Sequence, residues 1–251
     1  MGRLLLLFII LGIFLIQGAH AKGLASFSEH QWNLKVGLGI YAATNIRYKN
    51  QSNFRKDDPI LIPLPYIRLK LSRLEIMPDK VVWIFAKSLL WQLDMRANYI
   101  GHDYKTDGLA HRHNTIFGGV ALRFLIFKFE VLKDLENKSK GTAYSTAAII
   151  PIPLAGGSSI TLQGEIEHWD GNYVNYYFGV KDSEATSTRP AYHGMWETDY
   201  YFQMISMIKI TPHWIMRFTP GYRIFGPRIA NSPTVTTKKE WSTVMGMVYE
   251  F

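Results

Sequence analysis

Histidines and acids are the first residues to weigh as chemistry. His102, Asp103, His111, Arg112 and His113 crowd one short stretch, and imidazole with carboxylate is a donor set that suits divalent transition metals. Their intervals match no established ligand spacing and all fall on one polar loop, so solvated histidines, and no metal, are expected there. His168 lies beside Glu165, Glu167 and Asp170, as a hydrolytic base would need. No nucleophile is paired with it, and the alternation of a strand puts His168 on the face opposite Glu165 and Glu167. The residues therefore point away from catalysis, and no cofactor is expected.

A third set is charged, four pairs spaced in twos with Lys35 and Arg217 beside them: Lys35, Arg68, Lys70, Asp94, Arg96, Glu165, Glu167, Glu197, Asp199 and Arg217. Side chains two apart on a strand share a face, so these residues line one side of whatever sheet carries them. In a barrel they would either line an aqueous pore or pair across a narrow lumen and fill it. Around them, Tyr173, Tyr176, Tyr177, Phe178, Tyr192 and Trp196 form an aromatic cluster. It is expected as an interfacial girdle with a loop packed on itself, with a binding surface as the alternative.

The elements that must position these residues are strands. Trp241 to Phe251 alternates, with Trp241, Thr243, Met245, Met247, Tyr249 and Phe251 on one face and Glu240, Ser242, Gly246 and Glu250 on the other. That is the closing strand an outer-membrane barrel needs, and Met247, Tyr249 and the terminal Phe251 read as the signal its assembly machinery recognises. Trp32 to Ala42 and Trp91 to Tyr99 alternate as cleanly. Slipping the second by one residue would put Asp94 and Arg96 into lipid, at roughly 2–4 kcal/mol for the Arg alone, so its register is well specified.

Further strands are expected over 60–71, 116–125, 127–135, 142–150, 160–169, 196–210 and 214–223, with 73–90 divided into two shorter strands by the turn at Met77-Pro78-Asp79-Lys80. Pro59, Pro63 and Pro65 remove ladder donors, so the start of the 60–71 strand should be irregular or bulged. Loops alternate short and long. The expected fold is all-β, a transmembrane up-and-down antiparallel β-barrel of about twelve strands, with ten as the fallback, in one domain.

Composition and the N-terminus agree. Met1-Gly2-Arg3, the apolar run Leu4 to Ile16 and Ala19-His20-Ala21 read as a signal peptide over residues 1–21, too short to span as a helix. The barrel would then occupy 22–251. There is no Cys among 251 residues, so neither a lipoprotein anchor nor a disulfide framework is available. The net charge of +8 suits basic loops against anionic lipid and lipopolysaccharide, while export removes the chain from nucleic acid.

Within the long loop from Asp170 to about His193, Tyr176-Tyr177-Phe178-Gly179-Val180, then Glu184-Ala185, Ser187 and Pro190-Ala191-Tyr192, resembles the loop signature of the MipA/OmpV family of outer-membrane proteins. Ile62-Pro63-Leu64-Pro65, Asn231-Ser232-Pro233 and the Tyr249-x-Phe251 ending support the resemblance. Thr188 stands where the family has Gly, and Asn231 where it has Asp. The resemblance implies an outer-membrane barrel that scaffolds a murein synthase and a lytic transglycosylase near the cell wall. A narrow outer-membrane channel for small solutes is the alternative.

Overall fold

A computed structural model describes residues 32–47 and 60–251. The expected leader and Pro59 lie outside the described residues. Twelve antiparallel strands, each paired with its neighbours in sequence, close into a barrel when β12 meets β1. They are β1 (Trp32–Ala43), β2 (Ile60–Leu71), β3 (Leu74–Ile76), β4 (Lys80–Lys87), β5 (Trp91–Ile100) and β6 (Thr115–Phe124), then β7 (Phe127–Asp134), β8 (Thr142–Pro153), β9 (Ser159–Trp169), β10 (Glu197–Lys209), β11 (Trp214–Ile224) and β12 (Lys239–Glu250).

Alternation in the sequence becomes alternation in exposure. On β5, Met95 is 49% exposed while Asp94 is 1% exposed; on β12, Trp241, Met245 and Met247 face outward, and Gly246 sits inward against Gly39 of β1. Outward apolar side chains meet hydrocarbon, and ladder hydrogen bonds satisfy most wall donors and acceptors, with breaks on the β3 side of β2 and at the register shift in β4. The start of β1, the end of β12 and the short turns lie at one end, the periplasmic one in barrels of this kind. The long connections gather at the other.

The prolines of β2 act otherwise than expected. The strand runs unbroken from Ile60 to Leu71, and the register shift in this region falls instead in β4, between Ile84 and Ala86. Leu71 and Leu74 flank a two-residue turn, so the odd-numbered residues of β2 aim their backbone groups toward β3. β3 pairs only with Leu69 to Leu71, and Pro63 and Pro65 fall beyond its reach on that same side. With no N–H, neither leaves an orphan donor at that edge.

Two connections are more than loops. Between β9 and β10 lies a helix, α1 (Gly171–Phe178), capped by Asp170, whose carboxylate accepts from the Tyr173 N–H at 2.9 Å. Its buried face is Tyr173, Val174, Tyr177 and Phe178, the spacing of an amphipathic turn. Between β11 and β12 lies a short helix, α2 (Pro227–Ala230).

Candidate functional site

The lumen divides into an apolar layer at the outer mouth and a charged layer beneath it. The apolar layer packs α1 against the strand ends: Tyr173, Val174, Tyr177 and Phe178 meet Ile46, Phe117, Leu132, Trp169, Phe225, Ile229 and Val235. Trp169 and Tyr173 stack with ring centroids 4.1 Å apart. Tyr177 and Val174 are 0% exposed, and each large side chain so buried contributes about 1.5–3 kcal/mol. This is a plug, folded in from a long loop. The expected girdle is therefore corrected: Tyr173, Tyr177 and Phe178 turn into the mouth, because a helix in place of an extended loop gives them one common face. Trp196 stays outside, 65% exposed.

Arg47 pins the plug from the β1 side. Its guanidinium lies between the rings of Tyr104 and Phe178, 4.2 and 4.4 Å from their centroids. It donates to the Tyr177 carbonyl at 3.1 Å and to Thr234 Oγ1 at 2.9 Å. Burial without a carboxylate partner pushes its pKa down to about 10. His102 packs on Phe178 with ring centroids 5.2 Å apart, and burial, with Arg47 and Arg223 nearby, holds its pKa well below the usual imidazole range.

The family stretches prove to be mutual contacts. Ser232 Oγ donates to the Phe178 carbonyl at 2.6 Å. Val180 and Tyr192 exchange backbone hydrogen bonds of 2.9 and 2.8 Å, and Tyr192 Oη donates to the Arg228 carbonyl at 2.7 Å. Gly179 closes α1, donating its N–H to Asn175 O at 3.0 Å, where any Cβ would strike that same oxygen. Glu184 caps its own turn from the Lys181 N–H, accepts from the Ala110 N–H at 2.9 Å and pairs with Arg112 at 3.0 Å. Burial works against its charge, but these donors outweigh it and lower its pKa. Ala185 and Pro190 lead the chain into and out of the bridge between Thr186 and Arg189, and Ala191 follows.

Beneath the plug is a cavity of about 340 Å3, bordered by Arg96, Lys128, Glu130, Glu165, Glu167, Gln203 and Arg217, and roofed by Leu132 and Trp169. Ion pairs cross it. Arg96 donates to Asp94 at 2.7 Å and also meets Glu130; Lys128 meets Glu165 at 2.9 Å. Arg223 contacts Glu167, with Asp199 and Glu240 each 3.8 Å away. Arg217 lies over the Tyr66 ring, 5.1 Å from its centroid.

Several charged residues sit elsewhere than a uniform lining would put them. Lys35 pairs with Glu250 at 2.9 Å and Arg68 with Glu75, both near the short-turn end. Lys70 is exposed beside the β2–β3 turn. Glu197 and Asp199 hold α2: Glu197 accepts from the Arg228 N–H, and Asp199 from the Gly226 N–H at 2.9 Å and Trp169 Nε1 at 3.1 Å. Arg223 and Glu240, expected on the polar faces of their strands, join the set, as do two residues that strand alternation also places inward, Lys128 and Glu130. For Lys128 and Glu130, not singled out from the sequence, a signal existed, since they alternate with exposed Phe127, Phe129 and Val131.

His168 donates or accepts with Thr198 Oγ1 at 2.8 Å on the outer face. It is separated from Glu165 and Glu167, as strand alternation requires. Among the described residues Asp103, His111 and His113 do come together, without His102 and Arg112, which turn inward.

The description MltA-interacting protein MipA matches residues 36–251. The chain belongs to that family. Among relatives similar to it, outer membrane protein OmpV of Vibrio cholerae is 32% identical over 47% of this chain and 46% of the relative. Outer membrane protein Omp26La of Vibrio anguillarum is 30% identical over 50% and 47%. The matched stretch thus spans about half the length of these two relatives. The putative outer membrane protein YiaT of Escherichia coli K12 is 20% identical over 80% of this chain and 87% of its own. Among solved structures, an outer membrane channel from Pseudomonas putida F1 aligns over 91% of this chain and 98% of its own at 10% identity and a TM-score of 0.42. The protein is an outer-membrane β-barrel of the MipA/OmpV type, in contact with outer-membrane lipid.

Proposed function

We propose that this barrel is a closed structural element that holds cell-wall enzymes, a murein synthase and a lytic transglycosylase, close to the outer membrane. The observation that carries the reading is the apolar plug: α1 fills the outer mouth with buried rings, and the charges below it are paired. A solute path would need water where Tyr177 and Phe178 now pack. The family's description, MltA-interacting protein, supports a role read from the periplasmic side. The outward row Met247, Tyr249 and Phe251 at that end supports a recognition signal for the barrel-assembly machinery. No residue is assigned to catalysis in this reading.

Crosslinking in intact cells followed by copurification tests it. Murein synthase or transglycosylase should be enriched over an unrelated barrel of similar abundance, and equal recovery ends the scaffold role. A second reading, a narrow channel for small solutes, is favoured by the 340 Å3 polar cavity. Steady single-channel current from the refolded protein in a planar bilayer would establish it at the expense of the plug.

A further inference from the structure

The loop between β5 and β6 carries a site that the barrel's closed lumen does not use. Tyr104 and Arg112 form an antiparallel bridge with two backbone hydrogen bonds of 3.0 Å, and both side chains turn inward, 7% and 3% exposed. Neighbours of a bridged pair point to the other face. Asp103, His111 and His113 therefore share the outer face, with Asp103 opposite His113 and His111 two residues along. Their ligand atoms lie within 4.8 Å of one another. Asp103 Oδ1 is 2.7 Å from His111 Nε2, and the two imidazoles approach to 3.8 Å between centroids.

We propose that Asp103, His111 and His113 bind a divalent first-row transition ion, of the Zn2+ or Cu2+ kind, at the outer rim of the barrel. Two imidazoles and a carboxylate are the donors such ions favour over Mg2+ or Ca2+. Metal–ligand bonds of about 2.0–2.2 Å place three donors roughly 3–3.5 Å apart, so the present spacing closes with small side-chain rotations. The 2.7 Å contact between Asp103 Oδ1 and His111 Nε2 marks the position the ion would take.

The frame is held from behind. Arg112 is fixed by Glu184 at 3.0 Å, the His113 N–H donates to Tyr176 Oη at 3.1 Å, and Tyr177 Oη donates to the His113 carbonyl at 3.0 Å. Three protein donors leave positions for water or a second ligand, as in sites that capture and release an ion. The site would also tie both arms of the loop to the plug.

The test uses the full chain refolded in micelles without a histidine tag. Zn2+ titrated against a chromophoric chelator should show one high-affinity equivalent, weakened at least roughly tenfold in His111→Ala and in His113→Ala. His213→Ala, at the other end of the barrel, should leave it unchanged. With Cu2+, the electron paramagnetic resonance spectrum of the unaltered protein should show two nitrogen donors. Wild type that leaves all Zn2+ with the chelator, a double His111→Ala/His113→Ala variant that binds as tightly as wild type, or an oxygen-only Cu2+ spectrum overturns the proposal. The Cu2+ spectrum needs no variant, so misfolding of a substituted chain cannot protect it.

Discussion

Arg112 donates to Glu184 at 3.0 Å across 72 residues of chain, joining the β5–β6 loop to the β9–β10 loop above the barrel mouth. Hydrogen bonds to charged groups contribute about 1.5–3 kcal/mol each, and this carboxylate also gathers two backbone N–H groups. Glu184→Gln keeps the shape and removes the charge. Trypsin should then cut at Lys181, Arg189 and Lys105 many times faster, while the barrel itself stays resistant. Unchanged loop cleavage in that variant would show that the two loops are held by something else.

Removing the plug's rings should open the mouth. Tyr177→Ala and Phe178→Ala each delete a fully buried aromatic, which costs about 3–5 kcal/mol when the surroundings cannot collapse. Because these side chains fill a lumen and not a wall, the expected result is a folded barrel that conducts. Single-channel recording should show steady current for the double variant and none for wild type. A silent double variant with native heat-modifiable gel mobility would mean that another layer closes the lumen.

Arg223 faces three carboxylates, Glu167, Asp199 and Glu240. Arg223→Met leaves them uncompensated in a buried space, and breaking such a pair from one side costs about 3–5 kcal/mol. Adding Glu167→Gln and Glu240→Gln to the same chain should recover most of that loss. Urea midpoints in micelles read both outcomes. Equal stability of the single and triple variants would deny that the charges interact.

Acid should loosen the plug in two stages. The folded pKa of His102 is depressed, so the unfolded loop binds the proton more readily; the stabilising contribution is complete above the ordinary value near 6.5 and is lost as pH falls below it. Glu184 is likewise depressed, and its contribution is complete above about 4.5 and lost below that value as pH falls through its folded pKa. Fluorescence of Trp169, stacked on Tyr173, should report the change as pH is lowered. His102→Gln should remove the upper stage alone; an upper stage that survives in that variant belongs to another group.

Which residues face lipid was decided by the sequence. Alternation has a period of two residues and needs only local geometry plus one apolar solvent, so Asp94 and Arg96 could be separated from Met95 without any partner strand being known. The division of 73–90, the closing strand and the number of strands follow from the same local rule. The family motif was legible as letters, but its purpose was not, because Ser232 and Phe178, Arg47 and Tyr177, or Arg112 and Glu184 are joined only by long-range contact. Tertiary structure alone decided that α1 packs its rings into the mouth and that Asp103, His111 and His113 converge while His102 and Arg112 leave them. A loop's conformation depends on what it packs against, and here that is the rim of a barrel assembled from strands distant in the chain.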